Sequence, residues 1–240
     1  MHSLSLRPQH NLSRGPDYIY KCPHCSYLLK NKTLLNSNMG GAMRFSDGQC
    51  KGPKLPDFPD LTKCPKCNTI FWISDLKEIA TVNLLKKTRI WKLASYVDFL
   101  PIDDLYKALE MFKEPGIERL IRTWIWWAFN DRIRNNKKLV RTNGLLVCTN
   151  DDLHYAVLEQ PNMFVDGDEA LWEKNCERLL KLLNAKNINQ KIMMAELHRN
   201  LGRFTQCVKI IKSLPVDYEW IKARFNEQCE RRNTFVFRLI

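Results

Sequence analysis

No stretch of this 240-residue chain approaches the roughly 18 consecutive apolar residues that a membrane-crossing helix requires. Met1 to Gly15 is polar and lacks the apolar core of a secretory signal, so the chain is expected to be cytoplasmic, with no membrane partner and its nine cysteines reduced. Catalytic motifs are missing as well. There is no Gly-x-x-x-x-Gly-Lys-Ser/Thr loop, no Gly-x-Gly-x-x-Gly following a strand and no His-Glu-x-x-His pair. Histidine is scarce. His2 and His10 fall in a polar leader, His24 lies inside a Cys-x-x-Cys turn, and His154 and His198 sit on segments with helical patterning. The adjacent carboxylates Asp103 and Asp104 would point about 100° apart on a helix and cannot share one substrate bond, so they are expected to be a solvated first turn. A non-enzymatic protein is the expectation.

What the chain does contain is a duplicated cysteine motif. Lys21-Cys22-Pro23-His24-Cys25 and Lys63-Cys64-Pro65-Lys66-Cys67 are near copies, and two Cys-x-x-Cys turns can bring four thiolates onto one tetrahedral ion. A thioredoxin-like redox site would need a βαβ context and no second copy. After each motif comes a strand-like run, Ser26-Tyr27-Leu28-Leu29 and Asn68-Thr69-Ile70-Phe71-Trp72-Ile73. Cys22, Cys25, Cys64 and Cys67 are therefore the expected ligands of a structural zinc ion. Four thiolates leave no position for water or substrate, and metal binding worth roughly 10 to 16 kcal/mol would supply most of the folding free energy of so small a module. Cys50 is a weak fifth candidate. Cys148, Cys176, Cys207 and Cys229 fall in segments patterned as helix and are expected to be buried as small apolar groups.

These residues resemble the zinc-ribbon family over residues 17 to 76. The departure is the spacer between Cys25 and Cys64, long enough to carry an inserted hairpin over Gly41 to Gln49 with Asp47-Gly48 at a tight turn. Pro53, Pro56 and Pro59 recur at every third position and predict a stiff extended strut into the second motif. Residues 1 to 16 are expected to be a disordered leader.

From residue 77 to 240 the pattern predicts helices. Ile102 to Phe112 places Leu105, Ala108, Leu109 and Phe112 on one face. Ile117 to Asn135 carries two apolar stripes, one of Ile117, Leu120, Ile121, Trp124 and Ala128, the other of Trp126, Phe129 and Ile133, which predicts a central helix. A short helix is expected over Asp151 to Glu159. Asp166-Gly167-Asp168-Glu169 opens another helix, with Leu171, Cys176, Leu179, Leu180 and Leu183 inward. Residues 191 to 214 resemble one tetratricopeptide-type helix pair, with Ala195 at its small-residue site, Gly202 in the turn, and Cys207, Ile211 and Leu214 inward. The usual Trp is replaced by Lys191, and no second copy follows. A last helix is expected over residues 217 to 232. The expected fold class is thus a small β zinc ribbon followed by a mainly α region of helical hairpins. The order of parts is similar to bacterial proteins with an N-terminal zinc ribbon and a tetratricopeptide-like tail, a likeness that implies no activity.

The formal net charge of +12 is concentrated in the first 147 residues. Its densest cluster is Arg132, Arg134, Lys137, Lys138 and Arg141. Basic residues beside aromatics can grip a phosphate backbone, which makes nucleic acid the alternative partner. The leading expectation is an adaptor that binds protein partners through ribbon and helical surfaces.

Overall fold

The computed structural model describes residues 14–36, 40–52, 55–83, 88–134, 163–165 and 167–240. The leader as far as residue 13, the helix expected at 151 to 159, Cys148, His154, Lys137, Lys138 and Arg141 lie outside the described residues. The described part has small β-sheets in its N-terminal portion and a mainly helical C-terminal region. It divides into two compact units, one drawn from Met1–Ala42 and Lys51–Leu100, the other from Met43–Cys50 and Pro101–Ile240.

The first unit is built on hairpins whose turns are the two cysteine motifs. Tyr18, Ile19 and Tyr20 favour extended backbone, and β1 (Asp17–Lys21) runs antiparallel to β2 (Leu28–Asn31) with Tyr20 opposite Leu29. β5 (Leu61–Lys63) and β6 (Ile70–Trp72) form the second hairpin, with Thr62 opposite Phe71. The first hairpin is extended on both sides. β7 (Glu78–Val82) joins β1 antiparallel, with a bulge between Ile19 and Tyr20, and β8 (Ser95–Tyr96) joins β2 parallel. Between them a short helix, α1 (Arg89–Leu93), starts at Thr88, whose hydroxyl accepts from the Trp91 amide. One core gathers Tyr20, Leu29, Phe71 and Ile73 around Cys22 and Cys64; another holds Ile19, Val82 and Ala94. Residues 78 to 100 therefore belong to this unit, and the helical unit resumes at Pro101 rather than at residue 77.

A buried carboxylate fastens the end of this sheet. Asp17 accepts from Trp91 Nε1 at 2.6 Å, Tyr96 Oη at 2.7 Å and Arg14 Nη2 at 2.8 Å. These donors hold its carboxyl below the ordinary range even though burial opposes the shift. The two rings thus oriented receive Lys30, whose ammonium lies 3.7 Å from the Trp91 ring centroid and 4.5 Å from that of Tyr96.

In the second unit, α2 (Ile102–Met111) buries Leu105, Ala108 and Leu109. Asp104, expected in solvent, is 3% exposed and accepts from Lys107 Nζ at 2.8 Å. α3 (Pro115–Arg134) starts on Pro115, tolerated at a first helical position because the amide there has no intrahelical partner. Its Trp126, Phe129 and Ile133 stripe is buried together with Ile121 and Ile125, while Leu120 on the other stripe is exposed. α4 (Glu169–Leu182) turns Cys176 and Leu179 inward as expected, but Trp172 takes the interior place expected of Leu171, which is exposed. Trp172 wins the interior because Phe164 bridges it to Phe129, with ring centroids 5.3 and 6.3 Å apart.

The last three helices are α5 (Ile188–Asn200), α6 (Phe204–Lys212) and α7 (Glu219–Glu230). Gly202 turns the chain between α5 and α6 at φ +72°, in the left-handed region. Ala195, Cys207, Ile211, Leu214, Ile221, Phe225 and Phe237 share one core.

The spacer hairpin, β3 (Met43–Arg44) and β4 (Cys50–Lys51), does turn at Asp47-Gly48: the Gly48 amide donates to Phe45 O at 3.0 Å and Gly48 has φ +83°. The turn is not a solvated tip. Phe45, Ser46 and Asp47 are buried in the second unit. The Leu239 amide donates to Arg44 O at 2.7 Å, and the Ser46 amide donates to Phe237 O at 2.8 Å.

Candidate metal centre

The two cysteine turns have the same local geometry. In the first, the Cys22 amide donates to Tyr27 O at 2.8 Å and the Ser26 amide to Cys22 O at 3.0 Å; in the second, Cys64 donates to Thr69 O and Asn68 to Cys64 O, both at 2.9 Å. Each turn is completed by a left-handed residue, Ser26 at φ +56° and Asn68 at φ +60°. Such a conformation costs an L-residue on the order of 1 kcal/mol, and its recurrence at equivalent positions indicates that the turn shape is required. Lys66 adds an amide donor 3.4 Å from the Cys64 sulfur.

These turns bring Cys22, Cys25, Cys64 and Cys67 together, with all four sulfurs within 4.8 Å of one another. The Cys22 and Cys67 sulfurs are 3.6 Å apart, as are those of Cys25 and Cys64. A disulfide would need about 2.05 Å. Four sulfurs on a tetrahedral ion with bonds of ~2.3 Å stand about 3.8 Å apart, which this set matches. The cluster can hold a metal ion. Its donors are all soft thiolates, two buried and two half-buried, within the core formed by Tyr20, Leu29, Phe71 and Ile73. His24 is exposed, and Cys50 is not among the four.

Without an ion the thiols do not titrate alike. Hydrogen bonding by Thr69 brings Cys67 down to about 5, whereas burial pushes Cys64 up to about 12. Ligation requires all four as thiolates, so metal competes with protons most strongly at Cys64.

The two described members of the basic cluster are paired within the helical unit. Arg134 is 6% exposed, and its guanidinium donates to Asp47 Oδ2 at 2.6 Å and Asp131 Oδ1 at 2.7 Å. Arg132 donates to Asp168 Oδ2 at 2.7 Å and to Met163 O at 2.9 Å. Both charges are committed inside the helical unit. The expected contacts Lys137, Lys138 and Arg141 lie outside the described residues.

A second polar constellation escaped the sequence analysis. Glu196 and Arg199 form a fully buried ion pair at 2.5 Å. Glu196 also accepts from Ser46 Oγ at 2.6 Å, and Arg199 donates to Phe235 O at 2.7 Å and to Asn233 O. Asn200 links the pair to Trp126 Nε1 at 2.9 Å and to Thr234 O at 2.7 Å. The i, i+3 spacing of Glu196 and Arg199 was the visible signal, but on a helix such pairs are usually solvated. Every polar atom named here is partnered within the unit, so the constellation is an internal fastening.

Comparison with family models, with curated proteins and with solved structures returns no significant match. The resemblance to a zinc ribbon and to a tetratricopeptide pair therefore rests on residues and geometry alone. No helix among the described residues is long and apolar enough to cross a membrane.

Proposed function

We propose that Cys22, Cys25, Cys64 and Cys67 hold one structural zinc ion, that the first unit is a zinc ribbon, and that the protein is a non-enzymatic cytoplasmic adaptor. The sulfur spacing carries the metal assignment. Zinc suits four thiolates in a closed tetrahedral set, and when bound it would supply structure while the cysteines exclude water from its shell. The adaptor reading is supported by large apolar side chains left in solvent. Val216 is 74% exposed, on the 3-10 turn Val216–Tyr218 that leads into α7, and Trp220, at the start of α7, is 41% exposed. An exposed tryptophan beside an aliphatic side chain is the composition of a protein-binding hot spot. The helical hairpin of α5 and α6 is the tetratricopeptide-like part of this reading.

The test has two arms. Elemental analysis of the purified chain should give one zinc per molecule, and iron or no metal would overturn the assignment. Partners recovered from the native host should be lost with Trp220→Ala and Val216→Ser variants that keep wild-type helicity. Unchanged recovery would remove the adaptor role.

One observation favours nucleic acid as a second reading. Arg14 and Lys32 lie 5.8 and 4.9 Å from the centroid of the Tyr96 ring, and Tyr96 is 36% exposed. Binding to generic RNA or DNA that falls steeply with salt would support it, and no binding at low salt would end it.

A further inference from the structure

We propose that the cleft walled by α2, the start of α3 and α4 is a docking site for an acidic peptide segment carrying an aromatic or aliphatic anchor. The cavity is about 630 Å³, within the span of ligand-binding clefts, and lies wholly inside the helical unit. Docking there rests on the adaptor reading and gives it a partner chemistry at a face that includes neither Val216 nor Trp220.

Hydrogen bonds tie the walls of the cleft to one another. Tyr106 Oη donates to Leu171 O at 3.0 Å, joining α2 to α4, and Asn175 Nδ2 donates to Arg122 O at 3.0 Å, joining α4 to α3. Arg178 crosses the second junction as well, donating to the two carboxylate oxygens of Glu118 at 2.8 and 2.7 Å. A cleft braced on both sides keeps its shape before anything binds, so association does not have to order it.

The surface of the cleft is complementary to a ligand that is both apolar and negative. Tyr106, Leu109, Phe112 and Leu171 supply the apolar part, and Leu171 is left 49% exposed. On α2 and just beyond it, Lys107 and Lys113 are offset by Asp103 and Glu110. On the side of α3 and α4, Arg122, Lys174 and Arg178 face a single carboxylate, Glu118, so positive charge is in excess there. Glu118 engages both arginines, while Lys174 is exposed and enters no ion pair among the described residues. Lys174 follows Leu171 by three positions, which sets an uncommitted cation beside an uncovered aliphatic side chain on one helical face. A segment with an apolar side chain next to a carboxylate satisfies both. A basic or purely polar segment leaves at least one of them unmet.

The experiment titrates the full-length, metal-loaded chain into a fluorescein-labelled peptide that alternates glutamate with leucine and phenylalanine, read by fluorescence anisotropy. Saturable binding that weakens with added salt is expected. Exchanging the glutamates for lysine, or the apolar residues for serine, should lower affinity at least about tenfold, as should Lys174→Glu or Leu171→Ser in the protein. Both of these side chains are exposed, so the variants should keep the circular dichroism of the wild type. Lys181→Glu, on the same helix outside the cleft, makes the same change of net charge and should bind as the wild type does. No saturable binding, binding indifferent to salt, equal binding of the lysine or serine peptide, or undiminished binding by Lys174→Glu would overturn the proposal. So would a loss with Lys181→Glu equal to that with Lys174→Glu, because net charge and not the cleft would then hold the peptide. Recovery of host partners through Trp220 with none of these peptides bound would overturn the cleft and leave the adaptor reading standing.

Discussion

The Asp47 carboxylate, at the turn of a hairpin carried between the two cysteine motifs, accepts from the Arg134 guanidinium at 2.6 Å, with the two side chains 0% and 3% exposed. Asn130 Nδ2 donates to the same oxygen at 2.7 Å. Removing one member of a buried pair strands the other, which typically costs about 3–5 kcal/mol. Asp47→Ala should therefore lower the stability of the helical unit by that order, read as a lower urea midpoint in far-ultraviolet circular dichroism. A loss below about 1 kcal/mol would mean that the pair does not fasten the hairpin.

Glu118 gives a pH signature. It accepts from Arg178 at 2.7 Å and from Arg122 at 2.8 Å, and these hydrogen bonds hold its carboxyl down at about 2 against the effect of burial. A depressed carboxyl contributes stability that is fully present above its ordinary range and is lost as pH falls from there through about 2. Because Arg178 is 47% exposed, solvent screening reduces the contribution to about 1–2 kcal/mol. Glu118→Gln should be less stable than wild type by that amount at neutral pH, with the gap closing in acid. Urea unfolding at a series of pH values measures it.

Gly202 isolates a backbone effect. A Cβ there would meet nothing within 4 Å, so only its φ of +72° opposes substitution. Gly202→Ala should cost about 1 kcal/mol, and Gly202→Asn less, because asparagine tolerates the left-handed region. Equal losses for both would point to packing instead.

Metal removal should act on the first unit. A chelator, or Cys64→Ser, is expected to release the ion and abolish the chemical-shift dispersion of Tyr20, Leu29 and Phe71, which pack on the cysteines. Affinity should weaken as pH falls, since protons compete for sulfurs that bind only as thiolates. A first unit that stays folded with four freely titrating thiols would contradict the structural role.

Features set by near neighbours were legible in the sequence. The Cys-x-x-Cys turns, the left-handed Gly202, the Asp47-Gly48 turn and the inward positions Ala195, Cys207 and Ile211 all follow from local spacing. Features decided by distant partners were not. Glu78–Val82 became strand because β1 offered a free edge, Trp172 displaced Leu171 from the interior because Phe164 lies against it, and Asp104 was drawn inside. Arg134 read as a surface cation because its partner Asp47 lies 87 residues away. Ser26 and Asn68 carry the required left-handed backbone without a glycine to announce it.

The threading of the hairpin bears on how this molecule comes into being. The Phe237 amide donates to Ser46 Oγ across a separation of 191 residues, and Asp47 must wait for Arg134. On a ribosome the hairpin emerges long before the helices that will enclose it, and the enclosure closes only once Phe237 has been made. Such long-range closure slows folding. An excised segment beginning at Pro101 would lack Ser46 and Asp47 and leave Arg134 with Asp131 as the one remaining carboxylate of its two.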